Sequence, residues 1–132
     1  MAEILVYNIK DEQKLTGIRL CALKQGVETV VVSPEDFSKP LKAVLGLESD
    51  SSIDANAQKK PFEGEMLVMH ALDNRQFNGF LDSLRSFDIS VPLKAVVTDT
   101  NISWSSEMLH RELSSERKAI SSGHKSVHRK KG

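Results

Sequence analysis

The chain has 132 residues, 39% hydrophobic and 27% charged, with one cysteine and a formal net charge of zero. That length and balance describe one soluble domain able to bury a core without metal or disulfide staples, and they exclude a disulfide scaffold, a collagen-like chain and a membrane span. The zero is a cancellation: residues 1–116 hold 12 Lys and Arg against 18 Asp and Glu, a net −6, and residues 117–132 carry +6 with no acid.

The amino terminus, Met1 to Tyr7, has no basic leader, and no apolar run reaches the length of a signal-peptide core or a membrane helix, so a cytoplasmic protein is expected. Glu3 to Ile9 is apolar and rich in β-formers, the mark of a first strand. Asp11 then opens a helical pattern in which Leu15, Ile18 and Ala22 share a face and Gly26 supplies the stop. Cys21 lies inside that helix beside Leu20 and Ala22 and reads as a packed, inert thiol. Glu28 to Ser33, with three consecutive valines, is a second strand, and a run apolar at successive positions predicts cover on both faces or a central place in the sheet. Ser38 is placed to cap a short helix with Pro40 in its first turn and Gly46 at its end. A polar linker occupies 47–64, whose stretch from Glu48 to Lys60 holds Ile53 as its one large apolar residue, too little to offset its own ordering entropy.

The elements then recur. Glu65 to Leu72 is a third strand, and Asp73 with Gln76 three residues on has the spacing of a capping box. Phe77, Phe80, Leu81, Leu84 and Phe87 give the following helix a fully apolar face. Leu93 to Thr98 is a fourth strand, and Ser105 is placed to cap a last helix with Glu107 near its positive end and Met108, Leu109 and Leu113 inward. At a constant offset of 62, Glu3/Glu65, Leu5/Leu67, Val6/Val68, Asp11/Asp73 and Gly17/Gly79 are identical. The expected architecture is α/β: two βαβα repeats, 1–46 and 65–116, forming one four-stranded sheet with helices packed on it. Ferredoxin-like and small flavodoxin-like strand orders both stay open. Residues 117–132 are a separate basic tail. One segment breaks the pattern: Pro40-Leu-Lys-Ala-Val44 recurs as Pro92-Leu-Lys-Ala-Val96 at an offset of 52. The first copy is read as helix and the second as strand, with both as strands the alternative.

Glu65-Met-Leu-Val-Met69, the helix through Leu84, the run Pro92 to Asn101 and Trp104 together resemble the domain of unknown function 3783 family, small bacterial proteins. The resemblance covers about residues 62–116. It implies an α/β architecture and a bacterial origin, and it supplies no catalytic residues.

No Gly-rich phosphate loop is present, and Cys21 has no catalytic partner in sequence, so catalytic residues are unassigned and no cofactor is expected. His124 and His128 have helical i, i+4 spacing but no organised surroundings, and no metal is expected. Ligands of open α/β sheets gather beyond the carboxyl ends of strands, which selects Asn8, Ser33, His70, Thr98, Asp99, Thr100 and Asn101. In a mostly parallel sheet these meet on one rim, with His70 as a general base or ligand contact. The competing reading makes His70 a hydrogen-bonded boundary residue, the stretch 98–101 a chain turn and Trp104 a packing residue. In the tail, Lys125, Arg129, Lys130 and Lys131 are candidate polyanion contacts, though the absence of aromatics allows at most weak, nonspecific nucleic-acid binding. The preferred function is a non-catalytic interaction module whose partner is a second copy or another protein. A small-ligand sensor or enzyme at the rim is the alternative.

Overall fold

The structure, a computed structural model, describes residues 2–47 and 62–121, with side chains as far as residue 115. Most of the predicted linker and the tail residues Lys125, Arg129, Lys130 and Lys131 lie outside the described residues. Eight principal elements follow one another: β1 (Glu3–Tyr7), α1 (Glu12–Lys24), β2 (Glu28–Val31), α2 (Leu41–Val44), β3 (Met66–His70), α3 (Asn74–Ser86), β4 (Leu93–Val96) and α4 (Ser106–Ser121). Short 3-10 turns at Pro34–Asp36 and Asn101–Ser103 precede α2 and α4. This is the expected pair of βαβα units and single four-stranded sheet. Among the described residues no helix is long and apolar enough to cross a membrane.

The sheet order is β2-β1-β3-β4. β1 and β2 are parallel, β3 and β4 are parallel, and the halves meet antiparallel along β1 and β3, with Leu5 opposite Val68 at the centre. The strand order left open above is therefore a third arrangement. Each βαβ unit keeps its strands adjacent, unlike the split units of a ferredoxin-like sheet, and the central joint makes the sheet mixed.

The sheet is covered on both faces. Ile4, Val6, Leu67 and Met69 point to one side, where Ile18, Cys21 and Ala22 of α1 and Phe80 and Leu84 of α3 pack. Leu5, Tyr7, Met66 and Val68 point to the other, against Phe37, Leu41, Leu45 and Leu109. Because successive residues of a strand face opposite sides, this assignment tests the repeat alignment. At an offset of 62, Leu5 would match Leu67, yet these lie on opposite faces. An offset of 63 keeps the faces in the two central strands, 65 relates β2 to β4 and the start of α2 to that of α4, and 62 holds only for α1 and α3. The turn from β1 to the cap Asp11 is one residue longer than that from β3 to Asp73, which absorbs the first difference.

Both of those turns begin with a left-handed residue, Asn8 at φ 62° and Ala71 at φ 64°. Alanine gains nothing local there to offset the clash of its Cβ. Ala71→Gly, at an exposed position, is expected to raise the free energy of unfolding by about 0.5–1 kcal/mol in urea titration.

The helix ends follow the sequence closely. Asp11 accepts from the amides of Gln13 and Lys14, and Asp73 and Gln76 form a reciprocal capping box. Ser105 accepts from the amide of Met108 at 3.1 Å. At the other ends, α1 and α3 close with the same pair of bonds: Val27 N to Ala22 O with Gly26 N to Leu23 O, and Ile89 N to Leu84 O with Asp88 N to Arg85 O. Asp88 takes, at φ 59°, the left-handed place that Gly26 fills in α1.

Some expectations need correction. Ser38 caps nothing; α2 is a single turn that starts after Pro40 without a side-chain cap. Phe87 is 46% exposed because it is the residue that caps α3, past the last turn over the sheet, and its ring sits under Lys24 Nζ at 5.5 Å. The three valines of β2 do not mark a central or doubly covered strand. β2 is an edge, where the helix layer stops short and leaves Val31 50% exposed. Leu-Lys-Ala-Val is helical at 41–44 and extended at 93–96, so tertiary surroundings decide its conformation. Leu41 N bonds to Trp104 O at 2.8 Å, while Leu93 to Val96 stands in register beside Met66 to Met69.

Candidate functional site

The antiparallel joint separates the predicted rim into two. The carboxyl ends of β1 and β2 lie at one end of the sheet, those of β3 and β4 at the other. Asn8 and Ser33 therefore sit at the first end, and His70 with Thr98, Asp99, Thr100 and Asn101 at the second.

Asn8, Thr98 and Asn101 have local roles. Asn8 Nδ2 donates to the carbonyls of Phe62 and Gly64, both at 3.0 Å, fixing the approach to β3. Ser33 precedes the first 3-10 turn. His70 stands opposite Glu3 in register, its buried Nδ1 3.4 Å from Glu3 Oε1 and without a hydrogen bond. Thr98 N donates to Asn101 Oδ1 at 2.8 Å, Asn101 N donates to Thr98 Oγ1 at 3.1 Å, and Asn101 Nδ2 donates to Val96 O. Those bonds turn the chain toward α4. Asn101 is buried and committed to the turn, whereas Thr98, Asp99 and Thr100 are exposed.

Among the described residues a concavity lies elsewhere, between the first turns of α1 and the connection from α3 to β4. It has a volume of about 720 Å³ and is lined by Asp11, Gln13, Lys14, Phe87, Asp88 and Ser90 among others. A second depression of about 340 Å³ shares Asp88, Ile89 and Ser90 and continues past Arg85 to Lys94. Gly17 permits the close approach that shapes the first of these, since a Cβ there would stand 2.6 Å from Ile89 Cδ1. This cleft is not legible in the sequence because its walls, α1 and the connection after α3, lie about seventy residues apart and meet only in the fold.

An aromatic column sits on the opposite face. Phe37 stacks on Phe62 at 4.4 Å, Phe62 on the His110 ring at 4.0 Å, and Tyr7 tilts against both phenylalanines. The Tyr7 hydroxyl shares a 2.7 Å hydrogen bond with Ser106, and burial pushes its ionisation well above the usual range while that bond pulls the other way. Burial likewise raises the Cys21 thiol, opposed by Lys24, which suits a packing residue. Trp104 is half-buried against the same face.

Burial holds His110 below its ordinary 6.5. As pH falls, the unfolded chain takes up this proton before the folded one. The ring's contribution is therefore complete above about pH 6.5 and is lost as pH drops toward the folded-state value. His110→Phe, which keeps a ring on Phe62, is expected to lessen the fall in stability seen by urea titration between about pH 8 and 5.

The second unit, β3-α3-β4-α4, is also the part that resembles a known family. Residues 65–120 match the family model described as Domain of unknown function (DUF3783). The DUF3783 match begins one residue before β3 and ends within α4, so it takes in the second βαβα unit and none of the first. It brings no assigned chemistry. Comparison with curated proteins and with solved structures gave no match.

Proposed function

We propose that this protein is a non-catalytic interaction module that receives an extended segment of a partner at an edge of its sheet. The observation that carries this reading is the pair of outer strands. Among the described residues β2 and β4 each have a single strand neighbour, and Val31 and Val96, on the same face of the sheet, are 50% and 45% exposed. An edge strand offers a row of backbone donors and acceptors, and flanking apolar side chains add specificity to the pairing. Both βαβα units end in such an outer strand, β2 in the first and β4 in the second.

Proline substitution tests it. Val97 N donates to Met69 O and Val32 N to Val6 O, so by strand alternation the amides of Val96 and Val31 point away from the sheet. Val96→Pro and Val31→Pro thus remove outward donors that the sheet does not use. Extended peptides selected from a display library against the immobilised protein are expected to lose binding to one of these variants and to keep it with His70→Ala. Peptides insensitive to both prolines would count against the edge.

The cleft beside α1 supports a second reading, a small-ligand sensor, because about 720 Å³ lies in the range of ligand pockets. A thermal-shift screen against nucleotides, amino acids and metabolites addresses it, with Asp88→Ala the variant that should abolish any shift.

A further inference from the structure

The next inference rests on the edge-pairing reading and names the partner. The two edges differ in their protection. β4 carries Lys94 within the strand and Pro92 immediately before it, features that discourage an added strand. β2 reads Glu28-Thr-Val-Val31 and continues into Val32, with no lysine and no proline. Glu28 N donates to Ala2 O and Val32 N to Val6 O, so the even-numbered residues of β2 serve β1, and the backbone groups of Thr29 and Val31 point outward. Val30 and Val32 pack on the Phe37 side of the sheet, which puts Thr29 and Val31 on the α1 side.

We propose that β2 pairs antiparallel with β2 of a second copy of this chain, about a twofold axis through Val30. In that register Thr29 stands opposite Val31 of the second copy and Val31 opposite its Thr29. The outward groups then meet as hydrogen-bonded pairs, and residues of one face stay on one face. Thr29 with Val31 and Val30 with Val30 are all β-branched pairs, the kind that pack well across strands. The charges are compatible: Glu28 falls opposite Val32, and the two Glu28 carboxylates lie at opposite ends of the new pair. The same operation on β4, in the registers that keep its faces, sets Lys94 against its own copy directly or on the diagonal. Twofold pairing of β2 closes the assembly as an eight-stranded sheet with β4 at both outer edges.

Sedimentation equilibrium of the full chain tests this. The unsubstituted protein is expected to dimerise, Val31→Pro to weaken the dimer at least tenfold with an unchanged far-UV circular dichroism spectrum, and Val96→Pro to leave it intact. Should the proline disturb folding, Val31→Lys at this half-exposed position replaces it, bringing two like charges onto the diagonal of the pair. A monomer at every concentration up to about 1 mM, a dimer indifferent to both Val31 variants, or one broken by Val96→Pro would overturn the proposal. A monomer whose binding of extended peptides is still abolished by Val31→Pro would overturn self-pairing alone and leave the edge reading standing.

Discussion

Phe80→Ala is expected to lower the free energy of unfolding by about 3–5 kcal/mol, read as a fall in the urea midpoint at unchanged slope. Phe80 is fully buried in the cluster formed by α1, α3 and the inner strands, among Ile4, Ile18, Leu67, Met69 and Leu84. The lining side chains are carried by two helices and two central strands, so the space left by the ring cannot close without moving an element. A loss near the upper value means a rigid cavity; one near the lower means that α3 settles toward the sheet.

Phe37→Ala is expected to cost a similar 3–5 kcal/mol on the opposite face. Phe37 is fully buried, stacks on Phe62 and tilts against Tyr7 at a centroid distance of 5.3 Å. Its carbonyl also accepts from Glu107 N at the start of α4. Truncation removes the ring from one side of Phe62, whose other side carries His110, and so loosens the approach to β3 that Asn8 holds by its two carbonyl contacts. The pH dependence assigned to His110 should therefore diminish in Phe37→Ala, because a more hydrated imidazole loses the burial that depresses it. Retained pH dependence would show that Asn8 alone fixes the segment.

Where a signal is local, it is legible in the sequence. Asp73 with Gln76, Asp11, Gly26, Gly46 and Ser105 act within four residues of their targets, and each helix boundary they mark is present. The separation of Pro40–Val44 from Pro92–Val96 is also legible, since each half already has its strand in the corresponding place. What is not legible depends on how the halves meet. A constant offset of 62 holds for α1 and α3 but shifts the central strands by one residue, which turns every side chain to the wrong face. The supposed rim depends on parallel strands throughout, and the antiparallel pairing of Leu5 with Val68 sends Asn8 and His70 to opposite ends. Asn101 reads as a turn residue in the sequence, and its three hydrogen bonds give it that role. The valines of β2 mislead because an edge strand that leaves part of itself uncovered has the same composition as a buried one. Nothing in local sequence marks Asp88 as left-handed, and the cleft beside it is visible only after α1 and α3 are placed.

Amide hydrogen exchange, followed residue by residue on the outer strands, tests the account most directly. At low protein concentration the amides of Thr29, Val31, Lys94 and Val96 should exchange rapidly and those of Val30, Val32, Ala95 and Val97 slowly. Raising the concentration should then slow Thr29 and Val31 while Lys94 and Val96 stay fast. Slow exchange at all four outward positions in the monomer, or no alternation along either strand, would contradict a sheet with open edges.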